Sequence, residues 1–328
     1  MHVTPVERAR LLSLLRSHAV NPLSFLVNYA AAWEAFLTAR GGAPYLRDGR
    51  AVLLWADPLC APGDVADVLS AFSREMRAQR LGVGLLAVGG PTAQAARACG
   101  YSVLKIGEEP WFDLATWRRP RGDRGKKLRW CLNRAHREGV EAREYRVDDG
   151  RDEAREGEIA AVLARWQLSL ARPVATSFLA ASPFSAVEEK RIFCAYTGDR
   201  LVGFLACSPI YARNGWYLED LVRDPGAPAG TTELLVVEAL RSLAADGASA
   251  AALGLVPLRN PREQLDRRAR WLALLIHSAV RTFDRRYGFR ALERYESKFR
   301  PSAWEPRYVA FLPALPRPSV VRAALRTL

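Results

Sequence analysis

Apolar residues recur at helical spacing through PVERARLLSLLRSH (residues 5–18), opened by Pro5 at a position where a missing N–H breaks no helix bond. The same spacing predicts a second helix over 22–40, ended by Gly41 and Gly42. In YLRDGRAVLLWAD (45–57) the pattern shortens to that of a hairpin, with Asp48 and Gly49 at its turn. A helix over 64–80, the strand GVGLLAV, a helix over 91–99 and the strand YSVLKIGEEPWFDL follow. A helix over 123–138 then closes at Gly139.

Beyond residue 140 the order repeats. A helix over 152–170 leads to the strands RIFCAYTG, RLVGFLACSPIYA and GWYLEDLVRD, with Gly198 and Asp199 turning between the first two. A loop rich in Pro and Gly, a helix over 231–246 and the strand AAALGLV come next. A helix over 266–287 and a closing strand within ALERYESKFRPSAWEPRYVAF complete the series. At 328 residues the chain exceeds the roughly 250–300 at which single cores stop growing. The expectation is an α/β (α+β) protein of two tandem units with mixed central sheets, 1–140 and 141–328. In the tail RPSVVRAALRTL, Val321, Leu325 and Leu328 share a helical spacing with Arg322 and Arg326. Such an end docks on its own domain or touches a membrane surface.

Charge sharpens this picture. The net charge of +13 is concentrated in 118–137, with nine Lys/Arg against one Asp, and in 259–300, with twelve against five acids. Two dense basic stretches on a nearly neutral remainder favour a polyanionic partner. Five scattered cysteines without CxxC spacing read as reduced thiols of a cytosolic protein. Four histidines form no HExxH or HxxxH pattern, so no metal site is expected, and GxSxG and Walker motifs are also missing. No apolar run reaches the ~20 residues of a membrane span. The expected location is the cytoplasm, with peripheral contact at the inner face of the cytoplasmic membrane as the variant reading.

Five blocks in order carry a family resemblance: KIGEEPWFDL, KKLRWCLNRAHREG, LEDLVRDPGAPAGTTELL, LGLVPL and RYESKFRPSAWEPRYVAF. Together they resemble the C-terminal catalytic domain of bacterial phosphatidylglycerol lysyltransferases, also known as DUF2156. The resemblance implies tandem GNAT-like (acyl-CoA N-acyltransferase) folds. It also implies transfer of an amino acid from aminoacyl-tRNA to a lipid hydroxyl, with no cofactor beyond the charged tRNA and with anionic phospholipid as the second partner. Full-length members carry a multi-helix membrane flippase that has no counterpart in these 328 residues, so a stand-alone form is expected.

Acyl transfer from an activated ester needs positioned reactants, a route for the hydroxyl proton and donors for the oxyanion. In YLEDLVRD, strand alternation sends Glu219 and Arg223 to one face and Asp220 to the other. A carboxylate there suits the α-ammonium of the aminoacyl group, and Arg223 suits a phosphate or ester oxygen. Lys298 and Arg300, beside Trp304 and Tyr308, are the candidates for gripping the acceptor phosphate or the tRNA terminus. Gly230, Thr231 and Glu233 open the helix after the loop, Gly254 lies in the strand that comes next, and all four are assigned to substrate binding. Pro225 and Pro228 remove N–H donors that a coenzyme A cradle would use. Lys126, Lys127, Arg129, Asn133, Arg134 and Arg137 form the expected tRNA or phosphate surface. The rival readings are an acyl-CoA N-acyltransferase and a non-catalytic RNA- or membrane-binding module.

Overall fold

The computed structural model describes residues 3–29, 33–147, 150–170, 183–260, 289–314 and 317–327. Helix α1 (Pro5–His18) is followed by β1 (Glu34–Thr38), β2 (Gly41–Asp48), β3 (Ala51–Trp55) and β4 (Leu59–Cys60). Next come α2 (Val65–Ala78), β5 (Gly82–Val88), α3 (Gly90–Ala98), β6 (Ser102–Asp113) and α4 (Lys126–Arg137). The second half contains β7 (Val140–Tyr145), α5 (Glu153–Ser169), β8 (Arg191–Thr197), β9 (Arg200–Ile210) and β10 (Gly215–Arg223). It continues with α6 (Thr231–Ala245), β11 (Ala250–Ala252), β12 (Val256–Pro257), a helix Phe289–Glu296, β13 (Ala303–Leu312) and a helix Pro318–Thr327.

Among the described residues these strands form one mixed sheet, ordered β1-β2-β3-β5-β13-β6-β11-β10-β9-β8-β7, with β4 on β2 and β12 on β6. Each half repeats the strand pattern expected of a GNAT-like unit. An antiparallel set ends in a parallel step, β3 to β5 through α2 and β10 to β11 through α6. Apolar clusters lie on both sides of the sheet in each half, which is why β5 is buried along its whole length and reads as a continuous apolar run.

Two expectations change. The helix over 22–40 is absent: a 3-10 turn spans Pro22–Asn28, and Gly41 and Gly42 begin β2 instead of ending a helix. A Cβ at Gly41 would lie 2.4 Å from the Cβ of Cys60, so glycine there lets β4 pair closely with β2. A cut at residue 140 also fails to follow the packing. β13 inserts between β5 and β6, and Val320, Ala323 and Ala324 of the terminal helix bury in the cluster that holds Leu53 and Leu86. The tail is docked on its own protein through these residues. Helix α4 buries Leu128, Leu132 and Ala135 with Leu234 and Leu235 of α6, so the basic helix belongs to the C-terminal core.

The helix expected over 266–287 lies outside the described residues. Among those described, no helix is long and apolar enough to cross a membrane.

The Pro/Gly loop after β10 is held by one carboxylate. Asp224 accepts from the Gly226 N–H at 2.9 Å, from Arg165 at 2.6 Å and from Arg200 at 3.3 Å. Burial alone would raise its carboxyl, but the Gly226 N–H and Arg165 outweigh that and hold it below the usual range.

Candidate active site

The sheet opens where β10 and β11 part. β10 pairs with β9 along its whole length but with β11 only through residues 215–217. Beyond Ala252 the chain stays with β6, through Leu253 N–H to the Pro110 carbonyl at 3.1 Å and then through β12. A wedge therefore separates residues 218–223 from 253–256. A Cβ at Gly254 would meet the Tyr217 hydroxyl at an ordinary contact distance of 3.8 Å, so there is open space at this position on the wedge.

At the wedge β10 carries a bulge. Leu218 stands opposite Cys207 and Asp220 opposite Ala206, leaving Glu219 as the extra residue. The Tyr29 hydroxyl donates to the Glu219 carboxylate at 2.5 Å, and the Lys190 ammonium lies 3.6 Å from it and 4.4 Å from the centre of the Tyr29 ring. The Lys190 side chain is fully buried and Asp220 is 8% exposed. Burial, and then the Glu219 charge, push the Tyr29 phenol far above its ordinary range.

A second buried pair faces the wedge from β6 and β13. Arg307 lies 2.5 Å from Glu109, with side chains 4% and 1% exposed. Arg307 also reaches Glu305, which Arg213 grips at 2.6 and 3.1 Å while stacking 4.0 Å over Trp111. Burial raises the Glu109 carboxyl despite the pull of Arg307.

Glu296 is 3% exposed, its Oε2 has no hydrogen-bond partner, and burial followed by the Glu109 charge pushes it up to about 9. It is therefore a neutral acid at pH 7. Tyr217 feels the fields of Glu109, Glu219, Asp220 and Glu296 together, and burial adds the largest share of the rise in its phenol.

The state of Glu296 has a testable consequence. A carboxyl raised in the folded chain contributes stability that is full below its unfolded value, about 4.3, and is lost as pH rises through about 9. Glu296→Gln mimics the neutral acid. Its Tm is expected to match that of the parent at pH 4, below the unfolded value, and to exceed it at pH 9 in a paired thermal scan.

The residues named from the sequence separate into several places. Glu219, Asp220 and Gly254 border the wedge. Arg223 is exposed at the far end of β10 and does not join the buried group. Lys298 binds Glu233 at 2.6 Å, in the first turn of α6, beside the Tyr295 ring at 4.7 Å. Burial would raise Glu233, but Lys298, the residue's own N–H and the Thr232 hydroxyl hold it low.

Gly230 has a φ of 95° and its missing Cβ would sit 2.1 Å from the Cys131 carbonyl oxygen, so it seals α6 against α4 rather than lining a site. Thr231 is fully buried and spends its hydroxyl on the Pro228 carbonyl at 2.7 Å. Arg300 is exposed. Trp304 stacks 3.9 Å beneath Arg259, and Tyr308 joins the core under α2 and α3 instead of a binding surface. On α4, Lys126, Lys127, Asn133 and Arg137 are exposed and Arg129 and Arg134 half-buried, leaving a basic outer face.

Tyr29, Glu109, Lys190, Tyr217 and Glu296 are additions of the structure. The legible signal for one was the Glu108, Glu109 doublet inside an otherwise apolar strand.

The model of the family described as phosphatidylglycerol lysyltransferase, C-terminal, matches residues 13–311. The lysylphosphatidylglycerol biosynthesis bifunctional protein LysX of Mycolicibacterium vanbaalenii is 25% identical over 285 residues, which are 84% of this chain and 25% of that protein. The chain thus spans about a quarter of the length of that curated relative. The C-terminal DUF2156 domain of a lysylphosphatidylglycerol synthetase from Agrobacterium fabrum has the same fold, with TM-score 0.73 and 18% identity over 97% of this chain and 93% of that one. L-PGS from Bacillus licheniformis superposes with TM-score 0.74 and 17% identity over 99% and 96% of the two chains. The family match takes in the wedge, the bulge and both buried ion pairs, and the chain belongs to the phosphatidylglycerol lysyltransferase C-terminal domain family.

Proposed function

We propose that this chain is an aminoacyltransferase that moves an amino acid from aminoacyl-tRNA to a hydroxyl of an anionic phospholipid, with phosphatidylglycerol as the acceptor. Family membership supports the reaction class. The observation that carries the reading is the bulge that sets Glu219, beside the buried Asp220, where β10 and β11 part at the opening of the sheet. An aminoacyl ester presents an ammonium group one carbon from its reacting carbonyl, and buried carboxylates bind such a cation through charge-assisted hydrogen bonds.

The acceptor hydroxyl attacks the ester carbonyl, the bond to the tRNA ribose oxygen breaks, and that oxygen takes the proton the acceptor loses. The main-chain edge of β10 beyond Tyr217, released from β11, offers N–H donors to the oxyanion. The reaction written this way calls on no metal and no cofactor beyond the charged tRNA.

The start of the crossover helix α6 speaks against a coenzyme A donor. A diphosphate is gripped by free N–H groups at such a helix start. There the carboxylate of Glu233 already occupies the first turn. A second anion would meet that fixed carboxylate. Thermal shift separates the donors: a non-hydrolysable aminoacyl-tRNA analogue should raise Tm while acetyl-CoA leaves it unchanged. Stabilisation by acetyl-CoA alone would favour the N-acyltransferase reading.

The outer face of α4 is the proposed tRNA contact. Trp130 is 54% exposed, with the Arg134 guanidinium 5.7 Å from its ring centre, beside Lys126 and Lys127. This combines a stacking surface with phosphate contacts. The double change Lys126→Glu, Lys127→Glu is expected to raise KM for charged tRNA about tenfold at physiological salt. The slope of log KM against log salt should flatten by roughly 1.4–1.8, two phosphate contacts at about 0.7–0.9 each, with Tm unchanged because both side chains are exposed.

A further inference from the structure

A cavity of about 550 Å³ lies at the opposite end of β3 and β5 from Asp57 and Gly89, lined by Arg50, Arg77, Arg80, Arg317 and Ser319 over a floor of Leu81, Leu312 and Pro313. Among the described residues no acidic side chain lines it, and none of the four arginines forms an ion pair with a carboxylate. The arginines come from three separate segments: the β2–β3 turn, the end of α2 and the start of the terminal helix.

Two of them are already oriented. Arg317 donates to the Arg80 carbonyl at 2.7 Å and Arg77 to the Cys99 carbonyl at 3.2 Å. Cations near the carbonyl end of α2 have an ordinary explanation in the helix dipole, but that accounts only for Arg77 and Arg80.

Arg80 adds an independent observation. Its φ is 58°, and the Leu81 N–H bonds back to the Met76 carbonyl, so Arg80 occupies the helix-terminating position that glycine fills without strain. A side chain in this left-handed conformation is disfavoured, yet here it delivers a fourth guanidinium to the cavity. Such local strain is concentrated where a position serves a ligand.

We propose that this cavity binds a single phosphate-bearing group of headgroup size, separate from the transfer wedge. Guanidinium forks match phosphate oxygens in pairs. The first-turn Ser319 adds its hydroxyl and main-chain N–H, and the volume falls within the roughly 300–1,000 Å³ of small-molecule sites. The apolar floor suits the carbon skeleton that joins a phosphate to the rest of its molecule. That skeleton belongs either to a phospholipid in a bilayer or to a free organic phosphate. A polynucleotide, which presents a row of phosphates, is matched less well by four guanidiniums gathered around one volume of this size. The inference does not depend on the transfer reaction.

The test uses the full chain, with glycerol 3-phosphate in calorimetry and phosphatidylglycerol/phosphatidylcholine vesicles in flotation. Arg80→Gly is the main variant because it relieves the backbone, and Arg50→Ala, Arg317→Ala is the second. The wild type should bind, and both variants should bind at least fivefold more weakly, with Arg80→Gly keeping or raising Tm. A loss confined to vesicles assigns the group to a bilayer, and a loss confined to glycerol 3-phosphate assigns it to a free metabolite. Wild-type affinity for both probes in both variants, or no binding of either probe by the wild type, would overturn the proposal.

Discussion

Replacing Arg307 by Met is expected to destabilise the chain by about 3–5 kcal/mol, the usual consequence of stranding one member of a buried ion pair. Glu109, 1% exposed, would lose the guanidinium 2.5 Å away. With total stability usually about 5–15 kcal/mol, the change should be plain in urea unfolding. The deficit should be smallest at acid pH. Burial already raises the Glu109 carboxyl, and without Arg307 it rises further, so the residue is neutral when acid and is forced to carry an unpaired charge as pH climbs. The double change Glu109→Leu, Arg307→Met removes both charges and should recover most of the loss. Unaltered stability in Arg307→Met at pH 8 would show that the pair does not hold β6 and β13 together.

Glu219→Gln is expected to lower kcat/KM for aminoacyl transfer by about 10- to 150-fold, equivalent to one charge-assisted hydrogen bond of about 1.5–3 kcal/mol. Gln still accepts from Tyr29, so the bulge should persist. Asp220→Asn should act on transfer in the same direction. Tyr29→Phe, which leaves the carboxylate charge and removes only its positioning bond, should reduce transfer less. Equal activity in Glu219→Gln and the wild type, measured with the same charged tRNA, would remove Glu219 from ammonium binding.

The helices and most strands were legible because each carries its own period and end signals, as α6 shows between Gly230 and Gly247. Residues 22–40 misled because their alanines and leucines suit a helix locally, whereas β1 exists only through its pairing with β2. Position within the sheet was not legible either. Nothing in AWEPRYVAFL says that this last strand enters between β5 and β6, and that placement alone brings Arg307 to Glu109. The Glu219, Asp220 doublet was visible as chemistry, but Tyr29 and Lys190 reach Glu219 across 190 and 29 positions of sequence and left no local trace. Asp224 pins the Pro/Gly loop after β10 and Gly230 seals it, so its role is to seat α6 against α4.

The most direct measurement is transfer itself. The purified full chain is incubated with phosphatidylglycerol vesicles and tRNA charged with a labelled amino-acid mixture, and the lipid is extracted and counted. The account predicts ribonuclease-sensitive label in the lipid fraction, reduced at least tenfold in Glu219→Gln. No label in lipid from any charged tRNA, under conditions where the chain is folded and binds both substrates, would contradict it.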